Sequence, residues 1–156
     1  MKPVFHLVLV QPEIPGNTGS LGRTALALGA RLILIHPLGF SLDEKSVRRA
    51  GLDYWKYVDL IEYQSFEEFL EHEKPDPQAL SFFSKNAPKT YFKQSFQHGH
   101  YLVFGSESKG LPMSFFKDYP EQFLSLPILS PEVRSLNLSN AATAVAYEVF
   151  RQVTGQ

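Results

Sequence analysis

Val4-Phe5-His6-Leu7-Val8-Leu9-Val10 is followed by Gln11-Pro12-Glu13-Ile14-Pro15-Gly16-Asn17-Thr18-Gly19-Ser20-Leu21-Gly22. The short run Val4–Val10, rich in β-branched and aliphatic residues, predicts a strand. The prolines and glycines close that strand, and Asn17 or Thr18 can cap a helix over Thr18–Leu28 that Gly29 stops. Leu32–Ile35 then reads as a second strand. A strand, a helix and a strand within about 30 residues are one turn of a βαβ unit, and this unit decides the fold class.

Outward from it the alternation continues. Asp43–Arg49 is predicted helical and Tyr57–Ile61 a strand. Ser65-Phe66-Glu67-Glu68 is a capping box opening a helix to about Glu73. Ala79–Phe83 and Tyr101–Phe104 are strands, Ser114–Lys117 a short helix, Phe123–Leu126 a strand, and Ser139–Val153 the last helix. The expected fold is α/β, a mostly parallel sheet with helices on both faces, in a single domain over residues 1–156.

Composition narrows the chemistry. The 156 residues are 44% hydrophobic and 20% charged, which fits a soluble globular domain expected in the cytoplasm. Val4–Val10 is too short to span a bilayer and lacks a secretory cleavage pattern. With no cysteine there is no thiolate nucleophile, disulfide or cysteine zinc site, and His6, His36, His72, His98 and His100 show no ligand spacing, so no metal is expected. A net charge of −1 argues against coating nucleic acid non-specifically, although Lys45, Arg48 and Arg49 form a local basic group and Arg23, Arg31 and Lys109 lie near the glycine-rich turns.

In parallel sheets ligands bind beyond the carboxyl ends of the strands. That rule selects Pro12–Gly19, Gly105–Pro112 and the stretch Arg134–Asn140. The glycines of the first are spaced GxxGxxG, and no acidic residue follows Ile35 to hold a ribose, which disfavours a dinucleotide-dependent oxidoreductase. Arg23 sits early in the first helix, where its charge opposes the helix dipole, and points away from the stripe Leu21, Ala25, Leu28. Either an anion such as a phosphate or the nearby Glu13 would answer it. The last helix is apolar on nearly every face, with Ala141, Ala142, Ala144 and Ala146 small enough to admit a second backbone. A two-fold homodimer would cover it.

Together these segments resemble the SPOUT class of RNA methyltransferases, and within it the small bacterial tRNA 2′-O-methyltransferases acting at the wobble nucleotide. Pro12–Arg23 looks like the first motif, Phe104-Gly-Ser-Glu-Ser-Lys-Gly-Leu-Pro112 the second and Ser135-Leu-Asn-Leu-Ser-Asn140 the third; Arg48-Arg-Ala-Gly-Leu-Asp-Tyr54 is similar to a segment of the wobble subfamily. Ser106, Ser108 and Lys109 depart from the commoner Gly-Pro-Glu-Thr-Arg-Gly, and Gly16 stands where a second proline is usual. The resemblance implies a C-terminal trefoil knot and S-adenosylmethionine bound against Phe82, Gly105, Leu126 and Ser135. It implies transfer of the methyl group to a ribose 2′-hydroxyl of nucleotide 34 in the tRNA anticodon stem-loop. Arg23 would be the residue most tied to that step, supported by Asn17, Glu107, Ser135 and Asn137, with Tyr147 in the dimer interface. Lys45, Arg48, Arg49 and Lys109 would contact RNA. Another tRNA or rRNA site, or a non-catalytic RNA-binding module, are the alternatives.

Overall fold

The computed structural model describes residues 2–43, 45, 47, 49 and 52–156. Six strands form one sheet: β1 (His6–Val10), β2 (Arg31–Ile35), β3 (Leu60–Tyr63), β4 (Leu80–Phe83), β5 (Tyr101–Phe104) and β6 (Phe123–Leu124). Their order is β3-β2-β1-β5-β4-β6 and every pair is parallel. The alternation of strand and helix predicted the parallel pairing, though not the order, because parallel strands need covering on both faces.

Side chains divide by the period of two. Leu7, Leu9, Leu32, Leu34, Leu102 and Phe104 face one side, where they meet Leu21, Ala25 and Leu28 of α1 (Pro15–Leu28) and Ala142, Val145, Ala146 and Val149 of α4 (Leu138–Thr154). Val8, Val10, Ile33, Ile35, Phe82 and Val103 face the other, against Phe66 and Phe69 of α2 (Phe66–Glu73) and Phe115 of α3 (Met113–Asp118). Ser65 caps α2, its hydroxyl accepting from the Glu68 N–H at 3.1 Å, as the capping box requires. Lys45, Val47 and Arg49 are helical, in the span predicted as a helix; Glu44, Ser46 and Arg48 of that span lie outside the described residues.

Two boundaries move. The third strand begins at Leu60 rather than Tyr57, because Leu52–Tyr57 winds as a 3₁₀ helix against α1. There Trp55 lies so close to Gly22 that a Cβ on that glycine would sit 2.6 Å from its ring. The sixth strand ends at Leu124, after which Ser125 is gripped by the β4–β5 connector: its N–H donates to Lys89 O (2.9 Å) and its carbonyl accepts from Tyr91 N–H (3.0 Å). The same connector is tied to α4, where Gln152 accepts from Phe96 N–H (2.8 Å) and donates to Gln94 O (3.1 Å). The connector is thus hydrogen-bonded both to the residue after β6 and to α4.

A candidate active site at the carboxyl edge of the sheet

The loop after β1 leads into α1 with Ile14 at the N-cap, no capping side chain and no acidic residue in the first turn. Its free N–H groups and the positive end of the helix dipole need an anion from elsewhere. Glu107, in the loop after β5, supplies it. One carboxylate oxygen accepts from Glu13 N–H at 2.8 Å, and the other accepts from Ile14 N–H at 2.9 Å and from the Asn17 side-chain amide at 3.1 Å. The clasp is reciprocal, since Glu13 Oε1 accepts from the Ser108 N–H at 2.8 Å and the Ser108 hydroxyl at 2.6 Å. Those Ser108 donors hold the Glu13 carboxyl below its ordinary range. Glu13 therefore serves the second loop and makes no ion pair with Arg23.

The second loop is closed on itself by a bridge between Ser106 and Gly110, with Gly110 N–H to Ser106 O at 2.9 Å. Its closure is why residue 105 is glycine: a Cβ there would lie 2.1 Å from the Gly110 carbonyl carbon and 2.3 Å from Leu111 N. The third loop ends at Asn137, whose side-chain oxygen accepts from Ser139 N–H (2.9 Å), Asn140 N–H (3.2 Å) and the Ser139 hydroxyl (2.7 Å), capping α4. The polar run before an apolar helix is, in part, that helix's own cap.

Between these loops lies a cleft of about 660 Å³, within the range of small-molecule sites. Asn17, Gly105, Glu107, Lys109, Leu126, Ser135 and Asn137 line it, bringing together seven of the residues singled out in the sequence. Phe82 does not. Its side chain is fully buried on the opposite face of the sheet, stacked on Phe123 at 5.1 Å. The alternation of the strand gives the cleft to Phe83 instead, which stacks on Phe104 at 4.7 Å. Arg23 is also outside the cleft. It lies six residues beyond Asn17, about 9 Å along the α1 axis, exposed, with its guanidinium carbon over the Tyr54 ring at 4.9 Å from the centroid.

Lys45 and Arg49 are exposed between β2 and β3, Arg48 is outside the described residues, and Tyr147 is 55% exposed on α4 beside exposed Ala144. Lys85, Asn86 and Arg134 line the cleft without having been singled out as site residues. Lys85 and Asn86 follow the end of β4, so the strand-end rule, extended to that strand, finds them. Lys85, Lys109 and Arg134 give the cleft three cations around one carboxylate, that of Glu107. The chemistry on offer is an aromatic wall for a flat group, hydroxyl and amide groups for a sugar, and positive charge for phosphates. No helix among the described residues is long and apolar enough to cross a membrane.

Comparison with known proteins gives a consistent picture. The model of the SpoU rRNA Methylase family matches residues 4–147. The tRNA (cytidine(34)-2′-O)-methyltransferase of Burkholderia ambifaria is 43% identical over 150 residues, 96% of either chain. The protein of the same name from Escherichia coli is 41% identical over 151 residues, 96% of this chain and 94% of its own. A solved structure described as giving structural insights into the 2-OH methylation of C/U34 on tRNA superposes with a TM-score of 0.88 at 46% identity, covering 97% of both chains. The SpoU methyltransferase AviRb from Streptomyces viridochromogenes, solved in complex with the cofactor AdoMet, has a TM-score of 0.84 at 26% identity, covering 97% of this chain and 59% of that one.

Proposed function

Because the chain belongs to the SpoU rRNA Methylase family, we propose that it methylates the ribose 2′-hydroxyl of nucleotide 34, a cytidine or uridine, in the tRNA anticodon loop, as the names of its relatives describe for them. The observation that carries this reading is the Glu107 clasp, which draws the loops after β1 and β5 onto one cleft.

S-adenosylmethionine fits that cleft by chemistry: the stacked Phe83 and Phe104 and the side chain of Leu126 suit an adenine, and Ser135 and Asn137 suit a ribose. When bound, the cofactor supplies an electrophilic methyl group on a sulfonium. Gly105, Leu126 and Ser135 hold it, with Phe83 in the place assigned to Phe82. The second loop can do so only because Gly105 lets it close. Asn17, fixed by Glu107, presents its remaining N–H to the substrate ribose, and Asn137 holds the start of α4 in place beside Ser135. Arg23 binds the phosphate next to the reacting nucleotide and polarises the hydroxyl. A guanidinium stays charged, so the proton leaves to phosphate or solvent rather than to Arg23.

Lys85, Lys109 and Arg134 neutralise the anticodon-loop backbone, and Lys45, Arg48 and Arg49 extend that contact. Residues 1–156 act as one domain with a trefoil knot in the C-terminal part. Two copies join through α4, whose exposed Ala144 and Tyr147 leave an apolar strip open opposite the face packed on α1.

The test is methyl transfer from labelled S-adenosylmethionine to unmodified total tRNA, with nucleoside mapping. Label in a 2′-O-methylated nucleotide 34 is the expected result. Label elsewhere in tRNA would refute the position, and absence of cofactor binding would refute the reading as a whole.

A further inference from the structure

We infer that Tyr54 is a positioning residue for the reaction, its ring serving as the platform that aims Arg23 at the RNA. The inference rests on the role given above to Arg23 and adds the device that makes that role possible.

An exposed arginine on a helix surface samples many rotamers, and fixing one costs side-chain entropy. Among the described residues no carboxylate or carbonyl meets Arg23. Glu13, its nearest acidic candidate in sequence, is spent on Ser108. Among the described residues its guanidinium meets the Tyr54 ring. A ring face has no lone-pair acceptor, so the guanidinium is oriented while its N–H donors stay free for phosphate oxygens. A carboxylate partner would occupy those donors. The choice of a ring is therefore informative.

Tyr54 is held in turn. It belongs to the 3₁₀ segment Leu52–Tyr57, which Trp55 anchors on α1 at Gly22, the residue before Arg23. Trp55 and Val58 both pack against the core formed with α1. Two adjacent positions on α1 thus meet two adjacent positions on the segment: Gly22 admits Trp55, and Arg23 lies over Tyr54. Tyr54 remains 42% exposed, so the pair faces solvent where RNA can reach it.

The experiment compares wild type with Tyr54→Leu, Tyr54→Phe and Arg23→Ala, measuring tRNA turnover, KM for tRNA, cofactor affinity and Tm. Tyr54→Leu is expected to lower kcat about fivefold, equivalent to about 1 kcal/mol, with cofactor affinity and Tm unchanged. Tyr54→Phe, which keeps the ring, restores kcat. A raised KM for tRNA with unchanged kcat in Tyr54→Leu would mean that the ring stacks on RNA directly, and would overturn the inference. Equal losses in Leu and Phe variants would assign the effect to the hydroxyl and overturn it as well. If Arg23→Ala abolishes transfer while Tyr54→Leu is as active as wild type, the platform is refuted and the role of Arg23 stands. Near-normal turnover in Arg23→Ala would instead remove the reading beneath it.

Discussion

Replacing Gly105 with alanine adds one methyl group and should disable the cleft. The new Cβ would lie 2.1 Å from the Gly110 carbonyl carbon, 2.3 Å from Leu111 N and 2.5 Å from Gly110 O. All three are backbone atoms, so no rotamer change relieves the clash. The loop must open, giving up the Ser106–Gly110 pair of backbone hydrogen bonds at 2.9 and 3.3 Å, each worth about 1 kcal/mol net. Displacing buried Leu111 adds overpacking strain on the order of 1 kcal/mol. The sum is about 3 kcal/mol, which for a chain of this size lowers Tm by roughly 6–12 °C. Cofactor affinity should fall at least about tenfold, or 1.4 kcal/mol, because Gly105 through Leu111 line the cleft. Differential scanning calorimetry and isothermal titration with S-adenosylmethionine read the two effects. Gly16→Ala is the control: a Cβ there meets nothing within 4 Å, and Tm should hold or rise slightly. Gly105→Ala with wild-type Tm and cofactor affinity would refute the close-approach argument.

Glu107→Gln keeps the size of the side chain but turns one acceptor into an N–H₂ facing backbone donors. Methyl transfer is expected to fall about tenfold with the fold intact, and unchanged turnover would show that the two loops assemble without the carboxylate. His100, buried against Ser81 with a 2.8 Å hydrogen bond, has its pKa pushed down to about 4 by burial. It stays neutral in the fold while the unfolded chain protonates near pH 6.5, so this contribution is full above that pH and lost on descending toward pH 4, about 3 kcal/mol in all. Urea unfolding of wild type and His100→Gln at pH 7 and 4.5 should show a flatter acid dependence in the variant; parallel slopes would contradict it. Tyr147→Ala should shift the sedimentation velocity profile toward monomer, and an unchanged mass would remove Tyr147 from the interface.

Much of the sheet was legible because parallel strands buried on both faces are unbroken apolar runs: Val4–Val10, Leu32–Ile35 and Tyr101–Phe104 each gave a strand within two residues. Strand order was not legible, since β5 lies beside β1 across 95 residues, His6 opposite Tyr101, and nothing local encodes that pairing. The start of α1 was placed three residues late because its cap is no neighbour but Glu107, and a tertiary cap leaves no local signature. The cleft was located by the strand-end rule, which is topological. Phe82 was assigned through the resemblance, which says nothing of which side of β4 its side chain takes; it is Phe83 that lines the cleft. Arg23 was singled out for its unfavourable place on the helix, yet its partner Tyr54 sits in a turn that the strand prediction around Tyr57 did not include.

The grip of the β4–β5 connector on Ser125 also sets a schedule for biosynthesis. A ribosome that has released the chain through Ser108 has delivered both halves of the Glu107 clasp, so the first two loops can already meet. Ser135, Asn137 and the helix that follows emerge after both of these loops, and they must find their place beside a connector already anchored between two strands. Competence to hold a ligand is therefore acquired only once α4 has emerged, and a nascent chain stalled before it would own most of the sheet but an incomplete cleft.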